Sequence, residues 1–222
     1  MCGRFSLATD QTAIEDQFQL IINEELTYRY NIAPSQDVFV IGSNGHDRVA
    51  TSMRWGLIPP WSKDVKIGHK MINARSESIE QKVSFKYPFR QKRCLIVSDG
   101  FYEWKKTESG KQPYRFVMKD RRPFAFAGLW ECWDKGTEPL FTCTILTTSA
   151  NEVTKDVHDR MPVILPPHTY DTWLDRKEDN IEHLKSLLVP YDAQLMDLYP
   201  VSTLVNSPKN DQKECLEPLN SQ

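Results

Sequence analysis

The chain has no apolar run long enough to cross a bilayer, which excludes a helical membrane span. Its opening residues lack a basic region followed by an apolar stretch, so no secretory signal is read there and a cytoplasmic protein is expected, nucleoid-associated if bacterial. Five cysteines, at 2, 94, 132, 143 and 215, are odd in number, widely spaced and never in a C-x-x-C pair. That excludes a disulfide framework and a cysteine zinc site. The five histidines form no H-E-x-x-H or similar ligand pattern, so neither a metal nor another cofactor is expected. Repeats, low-complexity segments and internal linkers are also lacking, and one domain is expected over the 222 residues.

An excess of charge is missing too: 28 Lys and Arg stand against 30 Asp and Glu, a formal net charge of −2. The balance is local, not uniform. Residues 54–93 hold ten basic side chains against Asp64, Glu77 and Glu80, while acids outnumber bases from Asp171 onward. The basic stretch is interleaved with Trp55, Trp61, Phe85, Tyr87 and Phe89. Cations for phosphate with aromatics for base stacking is the composition of a single-stranded nucleic-acid groove, although a solvated basic surface has the same count.

Periodicity gives the elements. Asp10 can cap a helix carrying Ile14, Phe18 and Ile21 at helical spacing. Residues 28–35 read as a loop, residues 37–41 as a buried strand, and Ser43-Asn44-Gly45 as the turn into a return strand that ends at Pro59-Pro60-Trp61, leaving Trp61 on a loop. Strands follow over 93–98, on either side of a polar turn at 119–122, and over 140–148. Residues 169–188 look like one or two amphipathic helices. Ser-Pro, Lys-Asn-Asp and Glu-Pro after Val205 predict a mobile tail.

The first four residues, Met1-Cys2-Gly3-Arg4, carry a chemical possibility that no internal cysteine has. With Met1 removed, Cys2 becomes a 1,2-aminothiol: its amine can form an imine with an aldehyde, and its thiol can add to the same carbon to close a thiazolidine ring. The α-amine has a reference pKa near ~8, so part of it is neutral and nucleophilic at neutral pH. Four letters alone leave open that Met1 stays and Cys2 is incidental. Glu103 lies between Tyr102 and Trp104, where ionisation is costly and a raised pKa suits general acid–base work; pairing with Lys105 on an exposed strand is the alternative. His158 and Arg160 fall where a helical stretch gives way to the strand at 163–165, a place that commonly faces a cleft.

Five separated stretches, taken together, resemble the signature of the SRAP family of SOS-response-associated peptidases: Met1-Cys2-Gly3-Arg4-Phe5, Arg29-Tyr30-Asn31-Ile32-Ala33-Pro34, Ile72-Asn73-Ala74-Arg75-Ser76-Glu77, Asp99-Gly100-Phe101-Tyr102-Glu103-Trp104 and His158-Asp159-Arg160-Met161-Pro162. The resemblance implies an α+β fold, a single domain of twisted, partly barrel-like mixed β-sheets with peripheral short helices. It places the domain at residues 1–206, with 207–222 as a flexible tail. It also implies a monomer that senses and shields abasic sites in single-stranded DNA, including at junctions with duplex, and no membrane partner.

The implied chemistry is lyase-like: Cys2, exposed by autoproteolytic or aminopeptidase removal of Met1, captures the ring-opened aldehyde as a reversible thiazolidine crosslink. By the same resemblance Glu103 moves protons, Asn73 holds the terminal amine or the sugar oxygens, and His158 donates a proton to the sugar ring oxygen. Arg4, Arg75 and Arg160 make forked contacts with phosphates, Thr147 hydrogen-bonds the DNA, and Trp61 stacks on a base or wedges at a duplex end. Two rival readings remain open: an N-terminal-nucleophile cysteine peptidase or amidase, and a non-covalent nucleic-acid binding module.

Overall fold

A computed structural model of the chain describes residues 2–108 and 110–219. Met1, and with it the question of its removal, lies outside the described residues, as do Asn220, Ser221 and Gln222. The elements in chain order are β1 (Phe5–Leu7), α1 (Gln11–Phe18), β2 (Arg29–Ile32), β3 (Asp37–Ser43), β4 (Arg48–Trp55), β5 (Asn73–Arg75), α2 (Val83–Gln91), β6 (Arg93–Ser98), β7 (Gly100–Thr107), β8 (Gly110–Met118), β9 (Phe124–Trp133), β10 (Leu140–Ser149), β11 (Arg160–Pro162), β12 (Ile164–Leu165), α3 (Tyr170–Leu174), α4 (Ile181–Ser186) and β13 (Met196–Pro200).

Five strands close on themselves: β10 runs parallel to β4, and β4–β3, β3–β6, β6–β9 and β9–β10 are antiparallel. Closure leaves these strands few free edges and buries most of β6 and β9 on both faces, which is why they read as continuous apolar runs instead of alternating ones. Small residues in β9 make room for side chains of the neighbouring strand β6. A Cβ on Gly128 would come within 2.8 Å of Cys94 Sγ and 2.9 Å of Ile96. β5 and β11 extend the barrel along β10, and β12 along β9.

The second sheet is antiparallel in the order β13-β8-β7-β1-β2. It is fastened to the barrel by Phe5, whose ring meets Trp55 edge-on at 5.1 Å and Phe126 at 5.6 Å. Full burial of a ring of that size contributes about 2–3 kcal/mol. Below β1 a charged network is sealed inside: Arg115 pairs with Asp99 at 2.9 Å, and Asp99 also accepts from Ser6 Oγ at 2.6 Å and the Ala8 amide at 2.7 Å. A Cβ on Gly100 would lie 2.8 Å from Arg115 Nε and would push that guanidinium from its place on Asp99.

Three segments depart from the sequence reading. α1 is capped by Asp10 but stops at Phe18, where Gln19 turns left-handed, so Ile21 is 82 % exposed instead of continuing the apolar face. Residues 29–32, expected in a loop, form β2 on the edge of the second sheet. The stretch from 207 onward, expected to be a mobile tail, packs along β2 as far as it is described. Asp211 takes the amides of Tyr30 and Asn31 at 2.5 and 3.0 Å and the Arg29 guanidinium at 2.7 Å, Cys215 is fully buried, and Val201 pairs with Pro218. Polar, turn-rich composition misled because these residues are ordered by hydrogen bonds to a neighbouring edge strand, not by an apolar face of their own.

Candidate active site

The site forms where the amino-terminal strand crosses the mouth of the barrel. Phe5 sits opposite Phe101, and the Tyr102 amide donates to the Arg4 carbonyl at 2.9 Å; continuing that register sets Gly3 opposite Glu103. Cys2 is fully buried beside this pair, with Sγ 3.9 Å from the Arg4 carbonyl. Burial pushes the Cys2 thiol far up, and the Glu103 carboxylate pushes it further, so sulfur rests as the neutral thiol. Burial likewise raises Glu103, opposed in part by the nearby charge of His158. A carboxyl poised above its ordinary range was the expectation from its aromatic neighbours.

On the barrel side, β5 lies parallel to the end of β10, with Asn73 beside Ile145 and Arg75 beside Thr147, while β11 puts Arg160 beside Ser149. The Ile72 carbonyl accepts from Trp55 Nε1 at 2.9 Å, and Trp55 in turn packs on Phe5, which ties this wall to β1. Asn73 donates to the Ile72 carbonyl at 3.0 Å, and its Oδ1 is buried with no hydrogen-bond partner among the described residues. An orphaned amide oxygen is an acceptor waiting for an N–H or O–H.

His158 is held at Nδ1, which faces the Arg160 amide at 3.0 Å and Asp159 Oδ1 at 2.8 Å. Those two contacts require opposite proton placements: the amide needs Nδ1 bare, the carboxylate needs it protonated.

Arg160 donates to both oxygens of Glu77, at 2.5 and 2.9 Å, and to the Thr147 carbonyl at 2.7 Å. Arg75 is exposed beside it. Thr147, expected to touch DNA, is fully buried, and its hydroxyl and carbonyl face Arg160 instead. Arg4, expected to grip a phosphate, is only 9 % exposed and turned inward, donating to Asn31 Oδ1 at 2.8 Å and the Val205 carbonyl at 2.6 Å beneath the Trp104 ring. Trp61 is 54 % exposed on the loop after Pro59-Pro60, anchored where Trp133 Nε1 donates to the Ser62 carbonyl.

The structure thus draws Cys2 and Glu103 together on one sheet, and Asn73, Arg75, Thr147 and Arg160 on the other, with His158 linking the two; Trp61 stands on a separate loop. Sequence reasoning assigned no role to Glu77, Asn31 or Asp99. All three lie inside the five quoted stretches, and that was their only signal.

A closed barrel with an antiparallel flanking sheet, carrying a buried cysteine at the amino terminus beside a carboxyl and an arginine wall, defines a class that comparison with known proteins identifies. Residues 1–208 match the family of SOS response associated peptidases (SRAP), and the chain belongs to that family. It is 50 % identical to the abasic site processing protein YoaM of Bacillus subtilis, with 99 % of each chain covered. It is 37 % identical to the abasic site processing protein HMCES of Gallus gallus, over 86 % of this chain and 66 % of that one. A crystal structure of a protein from Bacteroides thetaiotaomicron superposes with a TM-score of 0.88 at 28 % identity, over 98 % of this chain and 100 % of the other.

Proposed function

We propose that this protein acts on abasic sites in DNA and captures them covalently in single strands through Cys2 once Met1 is gone. The observation that carries the reading is the burial of the Cys2 thiol beside the Glu103 carboxyl on the adjoining strand. Relatives that match nearly the whole chain bear the name abasic site processing protein, which is the second support.

The chemistry balances as a condensation. The Cys2 amine adds to the aldehyde carbon of the ring-opened sugar, the carbinolamine loses its hydroxyl as water, and an imine forms. The S–C bond then closes while the thiol proton passes to the imine nitrogen, so aldehyde and aminothiol give thiazolidine and one water. Glu103, whose carboxyl burial raises above its ordinary range, serves both proton steps. His158 supplies the proton that frees the sugar ring oxygen. Asn73 Oδ1, buried and without a partner among the described residues, accepts from the terminal amine and aims its lone pair at the carbon.

The buried thiol decides the order of events. A cysteine held as thiol is a poor first nucleophile, which argues against direct attack on an amide by a peptidase route. It suffices for the second step, where the imine is already attached to the same residue and the effective concentration is very high. Arg75 and Arg160 receive the flanking phosphates, and damage is chosen without reading bases, because only a missing base exposes the aldehyde.

The test is denaturing electrophoresis after incubation with a single-stranded oligonucleotide bearing one abasic site. A shifted band that disappears when the aldehyde is first reduced to its alcohol supports capture. An equal band with the reduced oligonucleotide, or turnover of peptides without any band, contradicts it.

A further inference from the structure

The beginning of β4 contributes no residue to the site. β4 pairs with β3 along its length but meets β10 only at Arg54 and Trp55, so its other edge has no strand partner over residues 48–53 among the described residues. β10 then runs on to Ser149 and the Arg160 wall, away from that edge. Residues 48–52 of that stretch, with residues 37–39 of the paired strand β3 and the segment 21–27 above them, line a groove of about 700 Å³. The segment is clipped in place from α1: Glu15 accepts from the Ile22 amide at 2.8 Å, and Gln11 from the Leu26 amide at 3.2 Å.

Phe39 is the half-buried apolar side chain that lines the groove, above the buried Leu7, Ile32 and Val38, and Val49 and Ile21 remain 41 % and 82 % exposed at its sides. Its rim is acidic. Glu24, Glu25, Asp37 and Asp47 line it, all exposed, and none of them makes an ion pair among the described residues. The two arginines that also line it are already neutralised, Arg29 by Asp211 and Arg48 by Asp171, each at 2.7 Å.

An open strand edge supplies backbone hydrogen bonds to an extended segment, an apolar floor takes alternate side chains, and unpaired carboxylates select the sign of the rest. We propose that this groove docks an extended, lysine- or arginine-rich segment of a partner protein, which adds to the barrel as a strand along residues 49–52. The same charges exclude two other occupants. A second copy joined edge to edge would set like carboxylates against each other, and DNA would bring phosphates to an acidic rim. The inference is independent of the capture chemistry, since no site residue borders the groove.

Fluorescence anisotropy with a labelled peptide of alternating lysine and valine tests it, alongside hydrogen exchange of the full chain. The expected result is binding that weakens as salt rises, falls about tenfold in E24K/E25K and in D47K, and slows exchange at residues 49–52. A peptide with prolines replacing the valines, unable to donate along the edge, should not bind. Equal affinity of the variants, equal binding of the proline peptide, protection confined to other strands, or a dimer through this edge in sedimentation would each overturn the proposal.

Discussion

Arg160 is gripped by Glu77 in a two-pronged pair, Nη1 to Oε1 at 2.5 Å and Nη2 to Oε2 at 2.9 Å, while the Thr147 carbonyl fixes the guanidinium from behind. The bond to Arg160 holds the Glu77 carboxyl below its ordinary range, so it stays ionised. A carboxylate in that fork occupies the place a phosphate would take. Glu77→Gln should therefore tighten single-strand binding by about threefold, in keeping with the modest worth of a part-exposed pair. The measurement is affinity across a salt series; weaker binding by the variant would mean Glu77 positions Arg160 for DNA instead of competing for it.

Asp99 holds the amino-terminal strand from below, accepting from Ser6, Ala8, Thr9 and Arg115. Burial works against the Arg115 charge, and Asp99 with Tyr199 and Tyr102 more than offsets it, leaving the guanidinium raised. Asp99→Ala strands that cation in the interior, at a cost of about 3–5 kcal/mol in urea unfolding. Loss of less than about 1 kcal/mol would show that water replaces the carboxylate and that β1 is held chiefly by Phe5.

Glu103 makes a prediction with a definite sign. Its folded pKa lies above the unfolded value, so between the two the folded state binds the extra proton and stability falls as pH rises. The favourable contribution is fully present below the ordinary glutamate pKa and is lost as pH climbs through the raised one. Glu103→Gln should remove that slope, giving a higher Tm than the parent at neutral pH and little difference at acid pH, while slowing crosslinking. Parallel Tm–pH curves for the two proteins would make Glu103 an ordinary strand residue.

Asn31 joins the two ends of the chain. Its Oδ1 accepts from Arg4, and its Nδ2 donates to the carbonyls of Val205, Ser207 and Asn210. Asn31→Ala should free residues 203–219 and loosen Arg4, lowering the crosslinking rate while leaving single-strand affinity within about twofold, because Arg75 and Arg160 lie on the other sheet. Hydrogen exchange confined to the carboxy-terminal segment would mark the effect; unchanged exchange there would contradict the link.

The success and failure of the sequence reading divide along physical lines. The strands of the barrel were legible because burial on both faces leaves a continuous apolar run at 93–98 and a β-branched one at 140–148. The raised Glu103 was legible because its aromatic neighbours are adjacent in sequence. Arg4 and Thr147 have residue types that fit a DNA contact, yet both are buried here, and that burial depends on partners up to 201 residues away. The carboxy-terminal strap was missed for the same reason: Asp211 is ordered by amides of β2, and nothing within its own segment announces it. Residue type gave the chemistry a position could perform, and long-range packing decided which positions were free to perform it.

Intact mass of the purified protein, alone and after incubation with a short single-stranded oligonucleotide carrying one abasic site, tests the central claim most directly. The account predicts a protein lighter by one methionine, then a denaturation-resistant adduct equal to that protein plus the oligonucleotide minus one water, absent in Cys2→Ala. A processed protein that yields no adduct, or a Cys2→Ala variant that yields the same one, would contradict it.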